Sequence, residues 1–390
     1  MNASIVGGGI GGVCTALALN RVGIRCQIFE QAPELREVGP GLTVWTGAIR
    51  GLRQLQVSDR WWSPGSKVDR LEVRTSLGRT LAITSLSGLE RRFGVPAGYV
   101  VHRAELLREL AAGLEPGQIR CASRCVSIEQ EGDRVIARFA DGLEASADLL
   151  MGADGPHSVA RSHLHGASKP RYAGYTCWRG VAHLEVRDLP AGTSFEAWGP
   201  GARFAAHHCG PGRLFWYATS NAAEGGADSP AGRKADVHEI CRTWHSPIPE
   251  IIEATRGDEI LRNEIVDRVP AKTWGRGRVT LLGDAAHPTT PNLGMGACLA
   301  IEDAVCLAAS LANGPDVEAA LRHYERTRQP RAAAIVNNSW RIGRLGQWES
   351  PVGSWLRNLS TRWTPGWVSS RMLARWLNYD LPQLHRAASA

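Results

Sequence analysis

The feature that most restricts how this chain can fold is its first thirty residues. Ser4-Ile5-Val6 reads as a short buried strand running into Gly7-Gly8-Gly9-Ile10-Gly11-Gly12, and Val13 to Val22 then carries apolar residues at helical spacing. Gly23 stops that helix, and Cys26 to Phe29 makes a second strand ending at Glu30. Gly7, Gly9 and Gly12 therefore occupy the G-x-G-x-x-G positions of a βαβ unit. The first permits the tight turn, the second lets a pyrophosphate approach the backbone, and the third lets helix and strand pack closely. Unpaired N–H groups at the helix N-terminus aim partial positive charge at the phosphates. Glu30 stands where a carboxylate accepts hydrogen bonds from the hydroxyls of an adenosine ribose. Strand, helix and acid agree, so the opening predicts a dinucleotide site rather than a merely structural turn.

A chain of 390 residues can bury a large core and divides into two or three structural units. Its 43% hydrophobic and 21% charged residues are those of an ordinary globular protein. The net charge of +7 comes from scattered arginines, denser after Arg341, with no Lys/Arg-rich run. That pattern suits an anionic cofactor and gives no reason to expect nucleic acid. Nine cysteines, an odd number without a C-x-x-C pair, predict free thiols and a cytoplasmic location. The chain opens on a structural strand instead of a signal peptide, and no stretch approaches ~18 uncharged apolar residues. No metal-ligand spacing is present, and no metal is assigned.

After Glu30, the Pro- and Gly-punctuated stretch Gln31 to Gly41, with Arg36 inside it, reads as a loop beside the bound cofactor. Ala48 to Leu55 reads as a helix, Leu71 to Ile83 as a hairpin turning at Leu77-Gly78, and His102 to Leu110 as an amphipathic helix. Ser127 to Arg138 and Glu144 to Met151 read as strands joined through Asp141-Gly142. From Tyr172 to Thr219 the alternation is that of sheet, in segments 175–181, 194–198, 203–208 and 213–219. Helices of a doubly wound fold do not read this way, so an inserted antiparallel sheet is expected as a substrate platform. Ala235 to Trp244 and Ile248 to Ala254 read as helices, Arg278 to Leu282 as a buried strand, Gly296 to Leu311 as a long helix, and the region from Val317 as helical and tryptophan-rich.

Two further junctions carry chemistry. In Asp148 to Arg161 a buried strand ends at Asp154-Gly155, where backbone can approach a ligand; an Asx-capped strand–turn–helix junction reads equally well. In Arg278 to Gly296 a strand ends at Gly283-Asp284 and a proline-bent loop leads to a helix starting near Gly296. Asp284 suits a chain of hydroxyls, and the N–H groups of 293–296 suit the partial negative charge that builds on the pyrimidine side of a reduced flavin. Glu302-Asp303 on that helix are expected in solvation or capping contacts, and His287 as a satisfied loop histidine.

Together the three sites resemble the FAD-dependent monooxygenases of the 4-hydroxybenzoate hydroxylase type, in the same order and over nearly the whole chain. The segments Tyr172 to Arg179 and Gly343 to Pro351 look like the branch containing alkylquinolone 3-monooxygenase, urate hydroxylase and zeaxanthin epoxidase. The resemblance implies an α/β fold: a Rossmann-like FAD-binding domain of the glutathione-reductase type, an inserted antiparallel-sheet substrate domain and a C-terminal helical region. The FAD-binding parts are expected at 1–70, 102–170 and 271–335, the substrate parts at 71–101 and 171–270, and the helical region at 336–390. By the same resemblance Gly7, Gly9, Gly12 and Glu30 hold the ADP half, and Arg103, with Arg36 in the preceding loop, lies near it. Asp154 and Gly155 serve FAD and the nicotinamide, Asp284 the ribityl chain, and Pro291, Gly294, Met295 and Gly296 the isoalloxazine. Two departures stand out: Gly294-Met295-Gly296 replaces Gly-Gln-Gly, removing a polar side chain, and Thr46-Gly47 replaces Pro-Asn.

The implied reaction reduces FAD with transiently bound NADH or NADPH, forms a flavin C4a-hydroperoxide from O₂, and transfers one oxygen to an aromatic, quinolone-like or isoprenoid substrate. No catalytic acid or base is evident. Arg203, Tyr217, Trp178 and Trp198 are the candidate substrate contacts, with Arg203 more readily read as structural, and at most one of His207-His208 faces the pocket. In the tail, six tryptophans mixed with arginines suit either a membrane interface or, as the favoured reading, helices packed across the domain seam. A halogenase would need the absent W-x-W-x-I-P motif. A double-bond epoxidase or reductase and a non-catalytic flavoprotein are the remaining alternatives.

Overall fold

The computed structural model describes residues 1–35 and 39–385, so Arg36 lies outside the described residues. In chain order, β1 (Asn2–Val6), α1 (Ile10–Arg21) and β2 (Arg25–Phe29) form the opening unit. They are followed by β3 (Leu42–Trp45), α2 (Thr46–Gln54), β4 (Ser66–Lys67) and the hairpin of β5 (Arg70–Thr75) with β6 (Thr80–Ser85). Next come α3 (Ser87–Phe93), β7 (Gly98–Val101), α4 (Arg103–Ala111), β8 (Ile119–Arg120), β9 (Cys125–Glu131), β10 (Arg134–Phe139), β11 (Glu144–Ala147), β12 (Leu149–Gly152) and α5 (Val159–His165). Then β13 (Arg171–His183), β14 (Thr193–Trp198), β15 (Ala202–His208), β16 (Arg213–Asn221), α6 (Arg233–Ile240), α7 (Ile248–Glu253) and β17 (Leu261–Asp267) follow. The chain ends with β18 (Val279–Leu281), α8 (Gly296–Asn313), α9 (Val317–Gly346), α10 (Pro351–Trp363) and α11 (Gly366–Leu377).

Five parallel strands in the order β18-β12-β1-β2-β8 make the central sheet. β12 and β18 are buried at every residue, as strands covered on both faces must be, and they are apolar except for Thr280, whose hydroxyl donates to Glu325 at 2.6 Å. Because β1, β12 and β18 are adjacent and parallel, the three glycine-and-acid turns that follow them leave the sheet along one edge. The backbone ties those turns together: Gly7 N–H donates to the Phe29 carbonyl, Ala153 N–H to Val6, and Leu282 N–H to Gly152.

A seven-stranded sheet, β17-β13-β16-β15-β14-β5-β6, is antiparallel except at β14–β5. Its register sorts side chains by face. Trp178, Phe204 and Trp216 pack against Val237 and Ile251 of α6 and α7, whereas Arg203, Phe215 and Tyr217 occupy the other face.

Several expectations change. The stretch 127–138 breaks at Gly132 (φ +53°) into the β9–β10 hairpin, and 144–151 splits into β11 and β12, which join different sheets. β17 and the small sheet β3-β7-β4 are additions; β17 is largely polar and lacks the alternation that marks a strand. Glu302 and Asp303 are not on a solvated face of α8 but fully buried. Arg328 of α9 donates to both, at 2.8 and 2.7 Å, and Arg331 adds two bonds of 2.7 Å to Glu302. This is why α8, apolar and long enough by composition to cross a membrane, is an interior helix packed on α1, α2 and α9. In the tail, Trp340 does stack beneath the Arg171 guanidinium at 3.4 Å. Trp355, Trp363 and Trp367 do not pack across a seam; all three are exposed, the first two because α10 buries its polar side instead.

Candidate active site

A cleft of about 490 Å³ opens at the carboxyl edge of the central sheet, lined by Gly7, Gly9, Glu30, Asp154 and Gly155 together with Ser123, Arg124, Cys125 and His157. Gly7 has φ +108°, and a Cβ there would overlap the Ala153 carbonyl; one on Gly12 would overlap the Gly7 carbonyl oxygen. The turn is therefore closed by backbone against backbone. The Glu30 carboxylate accepts from Gly8 N–H (2.6 Å) and Ala32 N–H (2.8 Å), holding the glycine turn on one side. Ser123 to Cys125 and His157 were missed by sequence reasoning, since nothing in their local pattern signals a ligand.

Asp154 performs the cap that its strand–turn–helix context allowed. Its Oδ2 accepts from Val159 N–H (2.7 Å) and Ala160 N–H (3.3 Å), while Oδ1 is buried without a partner. Burial raises its pKa, and Ser158 with the backbone N–H groups pulls it part of the way back. An orphaned acceptor beside a backbone-only cradle fits a ligand rich in hydroxyl and N–H groups. Asp154→Ala should lower stability by about 1 kcal/mol through loss of the cap. A thermal melt unchanged from wild type would remove that role.

The third turn is pinned from below. Gly283 (φ +55°) donates its N–H to Asp303 Oδ2 at 3.0 Å, and His287 Nε2 lies 2.6 Å from the same oxygen. Burial pushes Asp303 up, but the charges of His287 and Arg328 prevail and hold it at about 2. Arg161 of α5 donates to the Ala285 and Ala286 carbonyls (3.1 and 3.2 Å), tying the second turn to the third. Asp284 presents a solvent-accessible carboxylate in this crowded hollow. Protein crowding raises its pKa, and His287 and Arg103 lower it, so Arg103 at the start of α4 is brought to the same edge.

Pro291–Leu293 forms a tight turn ending at Gly294, whose φ of +61° requires glycine, and α8 begins at Gly296. Met295 is buried in the main core, so the residue that replaces a polar one anchors the loop from inside. Trp45 Nε1 donates to the Leu293 carbonyl (3.2 Å). Asn292, which the sequence reading passed over, bonds Ser339, Thr290 and Tyr175 and accepts from Arg203 (2.7 Å).

The four proposed substrate contacts separate. Trp178 lies on the far face of the seven-stranded sheet, in the cluster covered by α6 and α7, and cannot share a pocket with Tyr217. Trp198 is on the near face, but the Arg357 guanidinium sits 5.1 Å from its ring. Arg203 is 2% exposed and donates to Gln347 (2.7 Å), Glu196 (3.0 Å) and Asn292, so it is a buried organiser rather than an open cation. Tyr217 remains half-buried, donating to Glu196 at 3.1 Å; burial and that carboxylate keep it a neutral phenol. His207 stacks 5.9 Å from Tyr217, and burial, aided by His208, lowers it to about 4, so it is neutral at ordinary pH. His208 instead bonds the Leu189 carbonyl.

Three glycine-and-acid turns on one sheet edge, bridged by Arg203 and Asn292 to an aromatic sheet face, are the arrangement expected of a flavin-dependent hydroxylase. The chain belongs to the FAD binding domain family, which it matches over residues 1–339. It is 39% identical to aurachin C monooxygenase/isomerase of Stigmatella aurantiaca, over 90% of this chain and 91% of that one. It is 32% identical to 2-heptyl-3-hydroxy-4(1H)-quinolone synthase of Pseudomonas aeruginosa, over 96% and 97%. The structure of Klebsiella pneumoniae HpxO complexed with FAD and uric acid superposes with a TM-score of 0.91 at 30% identity, covering 97% of this chain and 96% of that one. The protein is an FAD-dependent monooxygenase.

Proposed function

We propose that this enzyme consumes NADH or NADPH and O₂ to place one oxygen atom on an aromatic or heteroaromatic, quinolone-like ring. The observation that carries the reading is the near face of the seven-stranded sheet. Phe215, Tyr217 and His207 stack there, and Glu196 links Tyr217 through Arg203 to Asn292 in the Pro291 turn. A flat ring fits against such stacked aromatic groups, and the quinolone in the name of one relative agrees with that shape. In this reading residues 71–101 and 171–270 form the substrate unit, and the three segments 1–70, 102–170 and 271–335 the cofactor unit.

When bound, FAD supplies the redox chemistry, accepting a hydride equivalent and activating O₂. The backbone at Gly7, Gly9 and Gly12 cradles its pyrophosphate, with Glu30 and Arg103 beside the ADP half. Asp284 holds the ribityl hydroxyls, and Pro291 to Gly296 with the α8 N-terminus line the ring. Tyr217 orients the substrate by a neutral hydrogen bond, and the apolar surround of Phe215 and Leu293 excludes water. With Tyr217 and His207 both uncharged, the site positions rather than ionises its substrate. The nine unpaired cysteines agree with a reducing, cytoplasmic setting.

The test is a screen of alkylquinolones, urate and other ring compounds for stimulated NAD(P)H oxidation under labelled O₂. The expected product gains one labelled oxygen, and Tyr217→Phe lowers kcat/KM about 3–10-fold, the worth of one neutral hydrogen bond. A product that gains two hydrogens and no oxygen would assign a reductase instead.

A further inference from the structure

Helix α10 is turned inside out, whereas α11 buries Ala374 and Leu377 and leaves Arg371 and Arg375 exposed. On α10 the polar side faces the body: Ser354 Oγ donates to the Trp348 carbonyl (3.0 Å), and the buried Arg357 donates to the carbonyls of Gly346 (2.7 Å) and Gly199 (3.2 Å). Val352, Trp355, Leu356, Leu359 and Trp363 recur at i, i+3, i+4, i+7 and i+11, and all five are exposed. A surface helix of a globular protein normally turns such a stripe inward. Here Trp355 is 61% exposed and Trp363 77%, and Trp367 at the start of α11 continues the patch at 63%. Contiguous apolar surface of this kind marks an interaction site.

A second feature lies where α11 meets α3. Arg371 and Arg375 of α11 and Arg92 of α3 line one hollow of about 460 Å³ with Phe93, Ala374 and Asn378, and no carboxylate is among its lining residues. Exposed Arg344 and Arg362 extend the positive charge along α9 and α10. We propose that α10 and α11 form a docking surface for an anionic phospholipid bilayer. The tryptophan stripe enters the headgroup–acyl boundary, and the three-arginine hollow receives a phosphate headgroup. Tryptophan favours that boundary, and clustered cations favour anionic lipid. A second copy of the chain fits less well, because a twofold contact here would set two arginine clusters of like sign near each other on molecules already carrying +7. The inference does not depend on the identity of the ring substrate.

The experiment sediments the intact FAD-loaded enzyme with vesicles of phosphatidylcholine alone or mixed with phosphatidylglycerol. Enzyme should pellet with the anionic vesicles and remain in solution with the neutral ones. W355S/W363S and R371E/R375E should each lower the partition coefficient about tenfold or more, with basal NADH oxidation unchanged. Enzyme that stays in the supernatant with both vesicle types, or variants that pellet like wild type, would overturn the proposal. Saturable binding of inorganic phosphate without vesicle binding would reassign the hollow to a soluble anion. A dimer dissociated by W355S/W363S in sedimentation equilibrium would reassign the stripe to a second copy.

Discussion

Gly7→Val protein will purify without the yellow colour of bound flavin and will not regain it when FAD is added. Two independent penalties act at this position. The backbone is at φ +108°, a conformation a β-branched residue avoids, and the new Cβ would overlap the Ala153 carbonyl and crowd the Asp154 Cα. Relief requires the first and second turns to separate, which opens the cradle the pyrophosphate needs. Gly155→Ala provides the contrast. Its φ is +77°, but nothing lies within 4 Å of the added Cβ, so it meets only the strain of the left-handed region, about 1–2 kcal/mol. Flavin absorbance per protein, with circular dichroism to show that the chain is folded, measures both. Stoichiometric flavin in folded Gly7→Val protein would disprove the assignment of this turn to the cofactor.

The second large effect is at Arg328. This guanidinium is fully buried between Glu302 and Asp303, and its partners in turn hold Gly283, His287 and Arg331. Removing it leaves two buried carboxylates each short of a cation, Glu302 with Arg331 alone and Asp303 with His287 alone. Arg328→Met should cost about 3–5 kcal/mol, the usual result of breaking a buried ion pair from one side. With an unfolding entropy of about 2.1 cal/mol/K per residue, that corresponds to a melting temperature roughly 4–6 °C lower. Because the same network anchors the Asp284 turn, flavin affinity should fall as well. A melting curve matching wild type would show that the cluster adds nothing to stability.

The cluster also sets a pH dependence. Asp303 is depressed from the ordinary 3.8 to about 2, so the unfolded chain takes up its proton first as acid is added. Its contribution is complete above about pH 4 and is lost as pH falls through about 2. Asp303→Asn should therefore flatten the decline in melting temperature between pH 4 and pH 2. A decline as steep as that of wild type would place the acid-sensitive group elsewhere.

The cofactor half was legible because its signals are local. A glycine that must take positive φ, an acid at a strand end and an apolar run between them need no distant partner to be recognised. Gly7, Gly9, Glu30, Asp154 and Gly155 could be named from their own neighbourhoods, and one cleft contains all five. Glu302 and Asp303 show the opposite. Two acids on a helix read as solvated until Arg328, from the next helix, arrives to bury them. Trp178 was misplaced because alternation says that neighbouring residues oppose each other, but not which face meets the cofactor. Asn292 and Glu196 gave no local signal at all.

By itself the sequence determined the βαβ opening, the three turns and the two kinds of sheet, because backbone conformation and apolar periodicity are properties of consecutive residues. Only the tertiary structure decided which side chains share a site, which charges are buried and which tryptophans stay in water. Those outcomes depend on distances between groups far apart in the chain, and burial, which sets the strength of every charge and hydrogen bond, exists only once the helices and sheets have packed.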